Sequence, residues 1–128
     1  MRTAHARAVD WWHPSSHRGG GIAFKRLLAG TDGAPDNFEL ALVRFPATYR
    51  TPRHRHNYDQ VRVGLSGALN YAPGRDLGPG TVGYFPEGTS YGPQVVEGDP
   101  LGMAVQLGGA SGEGFFGYES LARGYREL

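Results

Sequence analysis

Two histidines one residue apart, His54 and His56, are followed by Gln60 and then by Gly67. In an extended strand, residues two apart point to the same face, so both imidazoles converge on one wall of a sheet. Two imidazoles with an amide oxygen beside them form a donor set for a divalent metal ion. The same three side chains, without a metal, can hydrogen-bond a ligand or nearby backbone groups. The spacing alone leaves both readings open.

The elements that must position these residues are short strands. Glycine accounts for 21 of 128 residues, above the usual share of about 7%, and most of it falls between short apolar runs. Strands are expected over Gly21 to Leu28, Phe38 to Phe45, Arg53 to His56, Gln60 to Leu65, Ala68 to Tyr71, Thr81 to Phe85 and Leu101 to Leu107. Turn residues separate them at Thr31 to Pro35, Ala72 to Gly74, Gly78 to Gly80, Pro86 to Gly88 and Glu97 to Pro100. Only the tail, about Tyr118 to Leu128, reads as a helix. With no linker, repeat or low-complexity tract, residues 1–128 read as one all-β domain, a sandwich or barrel with a short C-terminal helix. Its core barrel is expected over about 21–108, with an N-terminal arm over 1–20 and a tail over 109–128.

The stretch Pro52 to Gly67 resembles the first cupin motif, His-x-His, three residues, Glu, six residues, Gly. Gln60 stands where Glu is usual. The later stretch Gly80 to Tyr91 is similar to the second motif, Gly, five residues, Pro-x-Gly, two residues, His, and here Tyr91 stands where His is usual. The resemblance covers about Phe38 to Leu107 and implies a small cupin-type jelly-roll β-barrel. It implies metal ligands at positions 54, 56, 60 and 91, for Fe, Mn, Ni or Zn, and a homodimer. His54, His56 and Gln60 carry no negative charge, so an anion is wanted to complete the set. Tyr91 can supply it if coordination lowers its pKa, as it does for bound water. Gln94, through its carbonyl oxygen, is the alternative ligand.

Arg62 follows Gln60 by two positions and shares its face, while Val61, Val63 and Leu65 take the other. An inward guanidinium needs a carboxylate, from the protein or from a ligand. Facing the lumen, Arg62 points to an anionic substrate; turned to the rim, it pairs with Asp59 or Asp76. Tyr91, if not a ligand, can serve as proton donor or acceptor beside it. Tyr58, Tyr71, Tyr84 and Phe85 suit the walls of an organic-ligand pocket, and Gln106, on a face with Ala104 and Gly102, suits a polar lining position.

Composition narrows the partners. Thirteen Lys and Arg against 12 Asp and Glu leave no broad basic surface, so neither nucleic acid nor an anionic membrane is expected. Cysteine is absent, which removes disulfides and thiolate chemistry. No apolar run approaches the roughly 18 residues of a membrane span, and a cytoplasmic setting is expected. Gly64 to Ala68 misses the nucleophile-elbow pattern, Gly108 to Gly114 lacks the Lys-Ser/Thr of a phosphate loop, and no pair of carboxylates suits glycoside hydrolysis. His13 and His17, split by Pro14, read as loop residues. Trp11 and Trp12 are expected to pack an arm onto the barrel or a second subunit. Two functions fit: a metal-dependent enzyme on a small organic, anionic molecule, with lyase, isomerase, cyclase or dioxygenase chemistry, or a metal-free binding or sensor module.

Overall fold

The structure, a computed structural model, describes residues 1–14, 20–31 and 34–108. Seven antiparallel strands carry the chain: β1 (Ala23–Ala29), β2 (Phe38–Arg44), β3 (Arg50–Thr51), β4 (Asp59–Ala72), β5 (Arg75–Leu77), β6 (Val82–Phe85) and β7 (Gln94–Leu107). Their order is β1-β2-β7-β4-β5, with β3 also on β7 and β6 also on β4. The last strand thus lies between β2 and β4, a non-sequential pairing typical of jelly rolls. The expected helix over Tyr118 to Leu128, the glycine loop beyond Gly108, and His17 lie outside the described residues.

β4 and β7 are each single strands of 14 residues, where the sequence reading expected a break near Gly67 and a turn over Glu97 to Pro100. Both strands bend without ending. Gly67 and Gly98 take φ of 63° and 72°, and the β4/β7 register shifts at Gly64/Ser66 and Ser66/Ala68, so the extra residues are absorbed as bulges. The Arg53 to His56 strand is also corrected. Pro52 has no N–H to pair, β3 stops at Thr51, and within 53–56 the β-pairing is a single bridge, from His54 to Tyr91. β5 was not foreseen; three residues are too few to show a period.

The main apolar core is Ile22, Val43, Phe45, Tyr49, Leu69 and Ala104, with Phe24 and Val96 against it. A second cluster joins Leu77, Phe85 and Tyr91 with Tyr71. Around the second cluster the usual alternation is inverted. Gln60 is buried and Arg62 half-buried on the inner face of β4, while Val61 and Val63 are half-buried and Leu65 exposed on the outer face. On β2, Glu39 and Ala41 are buried between half-buried Phe38, Leu40 and Leu42.

The N-terminal arm lies along its own barrel. Trp12 and Phe24 exchange backbone hydrogen bonds of 2.8 and 2.9 Å, which occupies the open edge of β1. The Trp11 ring lies 4.4 Å from the Arg44 guanidinium and 5.1 Å from Lys25 Nζ.

Gly67, the last residue of the first motif, is where the bend is most exacting. Its φ is left-handed, and a Cβ there would lie 2.8 Å from the Pro100 Cα. Gly67→Ala is expected to lower stability by about 2 kcal/mol or more, read as a fall in the urea midpoint.

Candidate functional site

The site is built where the segment after β3 meets the turn between β6 and β7. His54 N donates to Tyr91 O at 3.0 Å and Tyr91 N returns a bond to His54 O at 2.9 Å. Gly88 N donates to His56 O at 2.9 Å. These bonds bring the two motifs together without a continuous strand. The His54 and His56 ring centroids are 5.1 Å apart. Tyr91 lies against both, at 4.6 and 5.7 Å, and Tyr58 stacks on His56 at 4.7 Å. His54, His56, Gln60, Tyr58, Phe85 and Tyr91 are all buried.

Arg62 faces inward. Its Nε donates to Gln60 Oε1 and its Nη2 donates to the Tyr91 hydroxyl at 2.6 Å. The guanidinium also covers the Tyr91 ring at 4.9 Å and the Phe85 ring at 5.3 Å. Nη1 is buried with no hydrogen-bond partner among the described residues. The rim pairing does not form, because Asp59 takes the Tyr84 hydroxyl and Glu87 N, and Asp76 accepts from Asn70. Among the described residues Arg62 has no carboxylate partner.

His54 Nδ1 lies 2.8 Å from Pro52 O. A carbonyl only accepts, so Nδ1 carries the proton and Nε2 the lone pair, the arrangement that readies an imidazole for a metal. Among the described residues no three His, Cys, Asp or Glu side chains converge, so a further donor would have to come from another residue type, Gln60, Gln94 or Tyr91. Gln60 Oε1 has a second lone pair beyond the one Arg62 uses. Two imidazoles sharing an ion at about 2.1 Å place their centroids about 5 Å apart in cis, close to the separation observed. The spacing of the His54 and His56 rings is therefore compatible with a shared divalent ion. Gln94, at the start of β7, is 1% exposed, pairs in register with Thr51, and its Nε2 has no hydrogen-bond partner among the described residues.

The pocket expectations divide. Tyr71 packs on Phe85 with centroids 5.7 Å apart, and Gln106 lies opposite Gln60 in register, half-buried on the inner face. Tyr84 is a correction: it is 61% exposed on the outer face, because Gly83 and Phe85 take the inner positions of β6. The sequence reading missed Glu39. It is buried, it faces Gln106 in register, and Arg26 Nε meets its Oε2 at 2.7 Å. Its place two residues before the buried Ala41, on the same face, was the available signal.

No family model matches the chain, and no curated protein does. Solved structures do. The polyketide cyclase RemF from Streptomyces resistomycificus superposes with a TM-score of 0.73 at 19% identity, over 100% of this chain and 94% of that one. An RmlC-like cupin protein from Ralstonia eutropha gives 0.65 at 19% identity, over 84% of this chain and 70% of that one. The chain has the cupin fold. A third structure with this fold, the proposed acetylacetone dioxygenase of Methylibium petroleiphilum, gives 0.71 at 17% identity, over 84% and 77%. No helix among the described residues is long and apolar enough to cross a membrane.

The hydrogen bond from Tyr84 to Asp59, reinforced by the negative charge, raises the Tyr84 phenol above the ordinary tyrosine value. A raised folded-state pKa gives a contribution to stability that is complete below about pH 10 and lost as pH climbs through the raised value. Spectrophotometric titration is expected to show one late-ionising tyrosine fewer in Asp59→Asn than in the wild type.

Proposed function

We propose that this cupin is a metal-dependent enzyme acting on a small anionic organic molecule. One observation carries the reading: the half-buried Arg62 has a buried Nη1 with no hydrogen-bond partner, and no carboxylate to neutralise it, among the described residues. A partly buried cation in that state is stabilised by an incoming anion. The oxyanion of an enolised carbonyl compound or a carboxylate has the right charge and can meet the guanidinium edge-on. Two neighbours are named as a polyketide cyclase and a proposed acetylacetone dioxygenase, which agrees with a carbonyl-bearing substrate.

His54, His56 and Gln60 are the proposed holders of a divalent Fe, Mn, Ni or Zn ion, with Tyr91 or Gln94 available to complete the set. When bound, such an ion acts as a Lewis acid or redox centre. The chain's own part is binding and proton handling. Gln60 and Tyr91 hold the guanidinium plane, so Nη1 stays aimed at the substrate oxygen. The Tyr91 hydroxyl accepts from Arg62, which directs its own proton elsewhere, and a substrate oxygen in the lumen is the proposed recipient. Tyr58, Tyr71 and Phe85 supply apolar walls that keep water from these groups. Lyase, isomerase, cyclase and dioxygenase reactions all suit this equipment.

A metal-free binding module is the second reading, and one observation favours it: the Arg62 cation sits among the donors and already bonds the Gln60 oxygen. Metal analysis of protein purified without an affinity tag separates the two. At least a substantial fraction of an equivalent is expected. Below about a tenth of an equivalent, with no uptake of Fe(II), Mn(II), Ni(II) or Zn(II), the metalloenzyme reading fails. Gln60→Glu adds a charge to the donor set and is expected to tighten metal binding by about tenfold or more; unchanged affinity removes Gln60 from the ligands.

The outer sheet face supports a homodimer as part of the same proposal. Val61, Val63, Met103 and Val105 lie there half-buried, flanked by Val82 at 63%, Leu107 at 44% and Leu65 at 43% exposure. A contiguous apolar face of this kind is uncommon on a monomer. Light scattering after size exclusion is expected to give twice the chain mass, and Val82→Lys to halve it while leaving the fold intact by circular dichroism.

A further inference from the structure

The inner face holds a polar row that runs across three neighbouring strands. Glu39 on β2 is paired in register with Gln106 on β7, and Gln106 with Gln60 on β4. Directly opposed residues of an antiparallel pair share a face, with Cβ atoms about 4.5–5.5 Å apart. Glu39 and Gln60 are therefore about 10 Å apart, two strand spacings. The row has opposite ends. At one, Arg62 bonds Gln60, and its buried Nη1 has no partner among the described residues. At the other stands Glu39, 8% exposed.

Apart from Arg62, the floor beside this row is made of small residues. The next register row inward is Ala41, Ala104, Arg62 and Gly83, and a Cβ built on Gly102 would meet only Val63 O, at 3.2 Å. Gln106 and Arg62 are only half-buried although they face inward on the two central strands, so solvent reaches the row from one end of the barrel. Among the described inward positions of β2, β4, β6 and β7, Glu39 is the one carboxylate. Arg26 meets it from the edge strand with a side chain 51% exposed. A carboxylate has two oxygens and about four acceptor sites, so one partly solvated cation does not exhaust it.

We infer that Glu39 is a substrate-contacting residue: its carboxylate accepts a hydrogen bond from a hydroxyl of a rigid, flat ligand whose anionic oxygen lies on Arg62, two strands away on β4. This rests on the reading of Arg62 as the anion site. It adds a specificity: the lumen selects molecules with an oxyanion at one end and a hydroxyl donor at the other. The strand spacing acts as the ruler.

The test compares two fluorescent probes, 6-hydroxy-2-naphthoate and 2-naphthoate, on chelator-treated protein. They differ only in the far hydroxyl. A hydrogen bond to a charged acceptor corresponds to about tenfold or more in affinity, so the hydroxylated probe is expected to bind the wild type about tenfold more tightly. In Glu39→Gln that ratio is expected to fall below about threefold. Arg26→Gln, which removes the partner of Glu39 and leaves the carboxylate, is expected to keep the ratio. Equal affinities in the wild type, or a ratio unchanged in Glu39→Gln, overturn the assignment of Glu39 alone. The wild-type comparison requires no variant to fold. If neither probe binds the wild type, or Arg62→Gln binds 2-naphthoate as well as the wild type does, the anion-site reading falls and this inference with it.

Discussion

Burying a guanidinium without a carboxylate is the constraint on which the site depends. Arg62 is half-buried, so it bears only part of the cost of taking an ion from water, on the order of several kcal/mol, and nothing ionic in the described protein offsets it. What stabilises it instead is divided among neutral groups: the Gln60 oxygen, the Tyr91 hydroxyl and the faces of Tyr91 and Phe85. Cation-π contacts reach about 2 kcal/mol when desolvated, so this surrounding offsets part of the cost without neutralising the Arg62 charge. The two departures from the cupin motifs, Gln60 and Tyr91, are the two residues that bond the guanidinium. A Glu at position 60 would neutralise Arg62; Gln orients it and leaves its charge in place.

The fold serves this arrangement through Tyr91. Its backbone pairs with His54 and its ring touches His54, His56 and Phe85. One aromatic thus joins the His pair, the second apolar cluster and the arginine. The separation of labour inside the barrel follows: Ile22, Val43, Phe45, Tyr49 and Leu69 stabilise one region as ordinary core, and the other region is free to carry polar groups.

The sequence was most informative where residue type and spacing act locally. The glycine-rich turns and short apolar runs define an all-β domain, and alternation along β4 puts Gln60 and Arg62 on one face, while leaving open whether Arg62 turns to the lumen or the rim. Spacing could not place what depends on chain segments distant in sequence. Whether Arg62 meets Asp59 or Tyr91 is decided by the turn before β7, 29 residues later. Tyr84 looked like a lining residue because its position in β6 is set by the pairing of Gln60 with Phe85, which composition does not encode. Glu39 escaped notice because an isolated Glu between leucine and phenylalanine reads as a solvent-facing residue; burial comes from the alternation of its strand, where the leucines take the outer face.

The inverted alternation at this end of the barrel has a consequence for folding. Sliding β4 by one residue against β7 would turn Val61, Val63 and Leu65 toward the interior and release Gln60 and Arg62 to water, an alternative that hydrophobicity by itself prefers. The native pairing has to be held by shape. A Cβ on Gly64 would lie 2.1 Å from Gly78 O, and one on Gly67 would lie against the Pro100 backbone, so only residues without side chains pass these two points. The motif glycine therefore acts as a registration pin: it commits the strand to a pairing that is poorer in buried apolar area, and in doing so keeps a charged, receptive interior from closing over as ordinary core.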